Sequence, residues 1–246
     1  MAWNGPQSGV WSGIDFRHGA QREFILGDFA RLGADYDYPS EPGTGFYEPN
    51  NWFNDLDARA LYVLLRLERP ARVIEVGSGL TSLLIADVNT RFLVGRSRIT
   101  CVDPHPQADI DGVAGISETV RRPVQEVPLD RFAELASGDV LFVDSSHIAA
   151  PGSDVNFLVF EVLPILKPGV LVHFHDIFLP GDYPDAEWVQ PEWNEQYVVQ
   201  ALLMFSARLQ IVFASAYAYR FLDAELTQAV GKVLGGDSLW LRVTDG

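Results

Sequence analysis

Cysteine is almost absent from this sequence. Cys101 is the single cysteine among 246 residues, so an internal disulfide is excluded and the composition fits a reducing compartment. Cys101 lies within the strand-like run from Arg98 to Asp103. That position predicts a buried structural thiol rather than a nucleophile.

Positive charge is also scarce. The chain has 18 lysine and arginine residues against 33 acidic residues, which gives a formal net charge of −15 and a pI near 4.6. Proteins that bind a phosphate backbone or an anionic membrane carry basic patches. The charge balance therefore predicts no nucleic-acid partner and no membrane partner.

The sequence lacks an apolar run long enough to cross a membrane. The most apolar region, Val198 to Phe221, is interrupted by Gln200, Arg208 and Arg220, a pattern typical of a buried helix followed by a strand. The segment Met1 to Pro6 has neither a basic region nor an apolar core, so no signal peptide is predicted. We therefore expect a cytoplasmic protein.

The remaining composition is typical of a folded α/β domain, with 48% hydrophobic and 21% charged residues. From residue 72 onward, short apolar strands alternate with helices, which predicts a mostly parallel, Rossmann-like sheet with helices on both faces. The seven predicted strands are 72–76, 98–102, 121–125, 139–143, 169–174, 209–218 and 238–243. The predicted helices are 80–88, 113–119, 129–136, 153–166, 190–206 and 222–234.

We expect residues 1–53 to form an N-terminal arm, a helix and a lid-like loop in front of a main domain at 54–246. The first 19 residues show no periodic pattern, and Ala20 to Leu32 reads as a helix. Gly33 to Asn51 is a long segment rich in proline and glycine, which is typical of a functional lid or of a disordered segment. Its aromatic residues suit substrate contacts: Tyr36, Tyr38, Phe46 and Tyr47.

A glycine-containing turn follows the first predicted strand. After the run that contains Glu75, two glycines stand at spacing two, Gly77 and Gly79, and a helix pattern resumes before Ser82. Glycine lets a ligand lie against bare backbone, and the free amides of the helix start can hold it. The third glycine of a dinucleotide fingerprint is missing, because Ser82 stands in its place. An ordinary strand-to-helix turn also explains a glycine pair.

Asp103 ends the second predicted strand, beyond the glycine turn. An acid at this point can accept hydrogen bonds from both hydroxyls of an adenosine ribose. Its neighbour Pro104 leaves open the alternative of a helix-capping or turn aspartate.

Two further strands end in titratable residues. Asp144 and His147 follow the fourth strand, and His175 and Asp176 follow the fifth. The carboxyl ends of parallel strands meet at one edge of a sheet, where ligands bind. We expect these four side chains to converge there, although helix capping would also explain Asp144. His173, two residues before His175, is expected to be a core residue.

These segments resemble the class I S-adenosylmethionine-dependent methyltransferases, in particular the macrocin O-methyltransferase and cephalosporin-hydroxylase-like small-molecule group. The matching segments are Val-Ile-Glu-Val-Gly-Ser-Gly, Val-Asp-Pro, Leu-Phe-Val-Asp-Ser-Ser-His and Val-His-Phe-His-Asp-Ile-Phe-Leu-Pro. The resemblance covers residues 51–242 and implies that the last strand is antiparallel. It also implies the residues that bind S-adenosylmethionine: Glu75, Gly77, Ser78, Gly79, Ser82, Asp103, Gln125 and Asp144. Of these, Glu75 would bind the amino end of the methionine part or nearby waters, Asp103 the ribose and Gln125 the adenine edge.

The same resemblance implies a divalent metal site formed by Asp144, His175 and Asp176. The family usually holds magnesium, but magnesium prefers oxygen ligands, and imidazole suits manganese, iron or zinc better. Either the ion is a softer one than magnesium, or His175 is a base or substrate ligand and no metal is bound. His147 stands where the catechol-type relatives have a lysine base, and a histidine could deprotonate a hydroxyl.

The sequence therefore predicts an O-methyltransferase that acts on a hydroxyl of a small-molecule acceptor, with a divalent metal assisting. Two alternatives stay open: an NAD-linked oxidoreductase and a binding protein of the same fold without turnover. A homo-oligomer is a further expectation that the sequence leaves open.

Overall fold

A seven-stranded sheet organises the chain. In the computed structural model, which describes residues 13–184 and 192–246, the strand order is β3-β2-β1-β4-β5-β7-β6. The strands are β1 (Arg72–Val76), β2 (Arg98–Val102), β3 (Glu118–Val120), β4 (Val140–Val143), β5 (Leu171–Phe174), β6 (Leu209–Ala214) and β7 (Leu239–Val243). β7 is antiparallel to both of its neighbours and the other pairs are parallel. The predicted Rossmann-like fold with an antiparallel last strand is confirmed.

Helices connect the strands and cover the sheet. They are α1 (His18–Phe24), α2 (Ala30–Gly33), α3 (Asp55–Glu68), α4 (Leu80–Phe92), α5 (Leu129–Ala133), α6 (Asp154–Phe157), α7 (Glu195–Phe205), α8 (Ser215–Phe221) and α9 (Asp223–Val230). π-helical turns at Ile25–Phe29 and Leu158–Val162 continue α1 and α6, and Leu163–Ile165 is a 3₁₀ turn. No helix in the described parts of the chain is long and apolar enough to span a membrane.

The alternation of side chains along a strand explains why both faces of the sheet are covered. In β4, Val140 and Phe142 belong to a buried cluster with residues of α3 and α4. Leu141 and Val143 belong to a second buried cluster with residues of α5, α6 and α7. Both faces of β4 are therefore packed, which accounts for its continuous apolar run.

The third strand does not lie where the sequence predicted it. Residues 121–125 are not a strand: β3 ends at Val120, and Val124–Glu126 forms a 3₁₀ turn. The predicted helix at 113–119 is also wrong, because residues 113–117 form turns and loop and residues 118–119 already belong to β3. β3 lies at the sheet edge and is only half-buried. Its residues therefore do not form the continuous apolar run that is typical of a buried strand. Pro123 has no N–H to donate to a strand.

The sixth strand is shorter than its apolar run. Its last pair is Ala214 with Leu239, the first residue of β7. Beyond that pair β6 has no partner on β7, and Ser215–Phe221 turns into a helix instead of continuing to residue 218. Strand length here is set by the neighbouring strand, which lies later in the chain.

The N-terminal helix packs in the main core. The predicted helix Ala20 to Leu32 corresponds to His18–Gly33 in the structure. Ile25 and Phe29 are fully buried in the cluster that also contains Phe213 of β6. Residues 1–12 of the predicted arm lie outside the described residues.

The aromatic residues of the predicted lid face the same core. The rings of Tyr36 and Tyr62 lie 5.3 Å apart, and those of Tyr38 and Phe46 lie 5.1 Å apart. The Tyr38 hydroxyl also donates a hydrogen bond of 2.6 Å to Asp87 of α4. These contacts fix the segment against α3 and α4.

Candidate functional site

A cavity of about 630 Å³ lies at the carboxyl ends of the parallel strands. Its volume is within the range of small-molecule sites. Residues that follow β1, β2, β4 and β5 line it, together with Asn51, Trp52 and Phe53 before α3 and Trp193 before α7. The strand-end residues that the sequence singled out thus meet in one place, as expected for an open α/β sheet.

Gly77 brings the turn after β1 against the end of β4. Its φ is +85°, and a Cβ atom there would lie 1.6 Å from the backbone oxygen of Asp144. Only glycine can occupy this position. Its N–H donates to Val102 at 3.0 Å, so the turn is fixed to β2 and β4 at the same time. Gly77, Ser78 and Gly79 all line the cavity.

Glu75 and Ser82 lie beneath the cavity instead of in its wall. Thr81 donates to one carboxylate oxygen of Glu75 at 2.7 Å, and the Ser82 hydroxyl donates to the other. Ser82 in turn accepts the Gly79 N–H at 3.1 Å. Burial raises the pKa of Glu75 to about 7, although both hydroxyl contacts oppose the rise. In this arrangement the two residues hold the glycine turn in shape.

Asp103 lines the cavity with both carboxylate oxygens anchored. One oxygen accepts the Ser78 N–H at 2.8 Å, and the other accepts the His105 N–H at 2.7 Å. Each oxygen keeps a second acceptor site. Gln125 also lines the cavity, from the 3₁₀ turn after β3, and its amide donates to the Gly152 carbonyl at 2.9 Å.

The predicted metal ligands come together. The ligand atoms of Asp144, His175 and Asp176 all lie within 4.8 Å of one another. His175 Nδ1 lies 3.6 Å from Asp144 Oδ1 and 3.7 Å from Asp176 Oδ2. Two ligand atoms that are each about 2.1 Å from one ion lie about 3.0 Å apart in octahedral and about 3.4 Å apart in tetrahedral geometry. The cluster is therefore a few tenths of an ångström wider than a site with an ion bound. One nitrogen and two oxygens suit manganese, iron or zinc better than magnesium.

His147 stands beside this cluster with a carboxylate at each ring nitrogen. Its Nε2 lies 3.0 Å from Asp176 and 3.5 Å from Asp144, and its Nδ1 lies 3.0 Å from Glu195. Burial alone would lower the pKa of His147, but the three carboxylates raise it to about 10. The carboxylates therefore favour the protonated form of the ring.

The two histidines also set the charge of Asp144. Burial alone would raise the pKa of this carboxyl. The positive charge of His175 and the hydrogen bonds from both histidines outweigh burial and hold the pKa of Asp144 well below its ordinary value. Asp144 is therefore an anion at neutral pH.

Three carboxylates that contact the predicted site histidines were missed by sequence reasoning: Glu195, Asp57 and Asp237. Glu195 contacts His147, while Asp57 and Asp237 lie on the side of His175 that faces away from Asp144. All three are far along the chain from the histidines they contact, so no local pattern could indicate them. Asp237 directly follows the glycine pair before β7. A glycine pair is only a weak indication of a loop with an unusual backbone conformation.

His173 and Cys101 are structural, as expected. His173 is fully buried, stacks on Phe142 with ring centroids 3.8 Å apart and pairs its Nε2 with the Ser238 hydroxyl at 2.8 Å. Cys101 is buried in β2, and burial together with Glu75 raises the pKa of its thiol. Neither residue lines the cavity.

Part of the chain matches a known protein family. Residues 74–177 match the family model described as "Methyltransferase domain". An uncharacterized protein of Archaeoglobus fulgidus is 33% identical over 134 residues, a match that covers 50% of this chain and 58% of that protein. The match spans less than two thirds of the relative's length.

Solved structures of similar shape include two methyltransferases. TomG, an O-methyltransferase of Streptomyces achromogenes involved in tomaymycin synthesis and solved with S-adenosylmethionine, has a TM-score of 0.46 and 16% identity, with 90% of each chain covered. MycE, from the mycinamycin biosynthetic pathway and solved with Mg, S-adenosylhomocysteine and mycinamycin VI, has a TM-score of 0.49 and 18% identity. The likeness covers 88% of this chain and 54% of MycE.

Proposed function

From the match of residues 74–177 to a methyltransferase domain, we infer that this protein is an S-adenosylmethionine-dependent methyltransferase, and we propose that its acceptor is a hydroxyl of a small molecule. One observation carries the proposal: the glycine turn, Asp103 and the cluster of Asp144, His175 and Asp176 line a single cavity. A donor and an acceptor bound there would lie side by side, which methyl transfer requires.

The donor half of the cavity suits an adenosine-containing ligand. Bare backbone at Gly77 and Gly79 would lie against the methionine part, and the carboxylate of Asp103 would accept hydrogen bonds from the ribose hydroxyls. The backbone amides of Ser78 and His105 already orient that carboxylate. Gln125 is the candidate for the adenine edge because it lines the cavity after β3.

The acceptor half contains the titratable residues. Asp144, His175 and Asp176 would hold a divalent ion, which would lower the pKa of an acceptor hydroxyl and fix its direction. The spacing of the three ligand atoms supports this assignment. The side chains of Trp52 and Trp193 line the same cavity, and their flat faces could pack against an acceptor ring.

We assign His147 as the residue that takes the acceptor's proton. Glu195 anchors Nδ1 of its ring at 3.0 Å, and Nε2 faces Asp144 and Asp176. This arrangement holds the imidazole by one nitrogen and presents the other to the cluster, the geometry of a general base. His147 can take this role only when the carboxylates of Asp144 and Asp176 interact with another group. As long as they pair with Nε2, they stabilise the proton on that nitrogen.

The charge of the cavity restricts the acceptor. None of the described residues that line it is lysine or arginine, whereas Asp103, Asp144, Asp154 and Asp176 do line it. These carboxylates would repel an anionic acceptor, and no lysine or arginine among the described lining residues would pair with it. We therefore expect an acceptor that is neutral or cationic.

Ligand binding tests the cofactor assignment. S-adenosylhomocysteine should raise the melting temperature more than NAD does, because a ligand that binds only the native state stabilises it. Asp103→Asn should lose most of this shift, since it weakens the acceptor for the ribose, while Asp109→Asn, at an exposed aspartate, should keep it. A larger shift with NAD would reject the methyltransferase assignment and favour the oxidoreductase.

A further inference from the structure

The imidazole of His175 is held between carboxylates on both of its sides. Its Nδ1 faces Asp144 and Asp176 of the proposed metal site at 3.6 and 3.7 Å. Its Nε2 faces Asp237 Oδ1 at 3.0 Å and Asp57 Oδ2 at 3.7 Å. Asp237 is thus the nearer of the two carboxylates on that side. The two nitrogens of the His175 ring therefore face different carboxylates and can have different roles.

The contact with Asp237 decides which nitrogen is available as a ligand. A neutral imidazole carries one proton, and the nitrogen that donates to a carboxylate keeps it. In a neutral ring with its proton on Nε2, beside Asp237 at 3.0 Å, the lone pair is on Nδ1, which faces Asp144 and Asp176. A histidine that coordinates a metal through one nitrogen and donates to a carboxylate through the other is a common arrangement, in which the carboxylate fixes the ring.

Hydrogen bonds to its backbone hold Asp237 in place. Asp57 is buried and accepts the N–H groups of Asp237 at 2.9 Å and Ser238 at 3.0 Å. A Cβ atom on Gly236 would lie 2.5 Å from Asp57 Oδ1, so glycine allows the loop to approach this closely. The Asp237 carbonyl accepts the Ile177 N–H at 2.8 Å, which ties the loop to the residue directly after Asp176.

We propose that Asp237, supported by Asp57, is a positioning residue that fixes the His175 ring so that Nδ1 points at the ion held with Asp144 and Asp176. The proposal rests on the proposed metal site. Phe53 limits the ring from a further side, with ring centroids 5.0 Å apart. The loop before β7 thus takes part in a site whose ligands follow β4 and β5.

Binding of Mn²⁺ to the full-length protein tests the role of Asp237. Asp237→Ala should weaken Mn²⁺ binding, measured by titration calorimetry, by about 10- to 100-fold, the usual effect of removing such a partner. Asp237→Asn should recover much of the affinity, because its amide oxygen still accepts from Nε2. The control is Asp154→Asn, which removes one charge from the cavity wall without a contact to His175 and should have a smaller effect than Asp237→Ala.

A spectroscopic readout and a double variant separate positioning from a general effect of charge. Pulsed electron paramagnetic resonance of bound Mn²⁺ should detect coupling to an imidazole nitrogen in the wild type and in Asp237→Asn, and weaker or altered coupling in Asp237→Ala. In a His175→Gln variant, the additional substitution Asp237→Ala should cause no further loss of Mn²⁺ affinity, because Asp237 acts through the His175 ring. Binding of S-adenosylhomocysteine should be unchanged in every variant, which verifies that each one is folded.

The outcomes distinguish this proposal from the function on which it rests. A wild type that binds no Mn²⁺ overturns the metal site, and the role of Asp237 with it. A wild type that binds Mn²⁺ while Asp237→Ala keeps its affinity overturns only the role of Asp237. Equal losses in Asp237→Asn and Asp237→Ala, or additive losses with His175→Gln, show that charge alone matters and also overturn it.

Discussion

Gly77 is the residue at which the cavity depends most on backbone conformation. Its positive φ and the absence of a side chain let the turn after β1 lie against the backbone of Asp144. A Cβ atom would have to displace backbone, which cannot move away as a flexible side chain does. The donor part of the cavity and the proposed metal ligand Asp144 are therefore coupled through this one position.

Gly77→Ala should lower the free energy of unfolding by at least about 3 kcal/mol, or abolish binding of S-adenosylhomocysteine if the turn shifts to relieve the clash. Urea denaturation and calorimetry measure the two effects. The matched control is Gly95→Ala, which also has a positive φ, +66°, but open space around it, and should cost only about 1 kcal/mol. Equal effects of the two substitutions would show that the contact with Asp144 is unimportant.

Glu75 should make the stability depend on pH. Burial raises its pKa from an ordinary value of 4.5 to about 7, so between these values the folded state binds more protons than the unfolded state. Stability contributed by this group is therefore lost as the pH rises from 4.5 to 7. The full effect above pH 7 is about 3 kcal/mol, from 1.36 kcal/mol per pKa unit.

Glu75→Gln should remove this contribution. The free energy of unfolding of the variant minus that of the wild type should be larger at pH 8 than at pH 5, by about 2.5 kcal/mol. Denaturant titrations at both pH values measure the difference, with Glu126→Gln, at an exposed glutamate, as the control. A relative stability that is the same at both pH values would show that Glu75 titrates normally.

At the scale of elements, the segment before α3 divides into two parts. Residues 34–47 are fixed by Tyr36, Tyr38 and Phe46, which pack against the core. Asn51 and Trp52 line the cavity, and Trp52 is 62% exposed, whereas Phe53 both lines the cavity and is buried in the core. If part of this segment closes over a ligand, we expect residues 51–53 to be the part that moves.

Hydrogen exchange with and without S-adenosylhomocysteine and an acceptor tests this division. Protection should increase at residues 51–53 and stay nearly constant at residues 34–47, because the aromatic contacts of the latter do not involve the cavity. An increase over the whole segment from 33 to 51 would instead support the lid that the sequence suggested.

At the scale of the whole molecule, the site is assembled from the two halves of the sheet. β1 and β2 carry the residues assigned to the donor, and β4 and β5 carry those assigned to the ion, with β1 and β4 adjacent at the centre. The two ligands would therefore bind side by side but on different residues. Their binding should be separable by experiment.

Chelation should separate them. Treatment with EDTA should stop methyl transfer to a hydroxyl acceptor and leave the affinity for S-adenosylhomocysteine within about twofold. Manganese should restore activity at least as well as magnesium, because His175 supplies a nitrogen ligand. Full activity in excess chelator, in protein without metal by elemental analysis, would exclude the metal from catalysis.

The sequence by itself determined the parts of this protein that depend on local pattern. The buried central strands β1 and β2 begin and end where their apolar runs do, and the residues after β1, β2, β4 and β5 meet at one cavity because parallel strands end at one edge. Tertiary structure decided the rest. The half-buried β3 and the end of β6 depend on which strand lies beside them. The partners of His147 and His175, namely Glu195, Asp57 and Asp237, come from distant parts of the chain and are brought together only by packing.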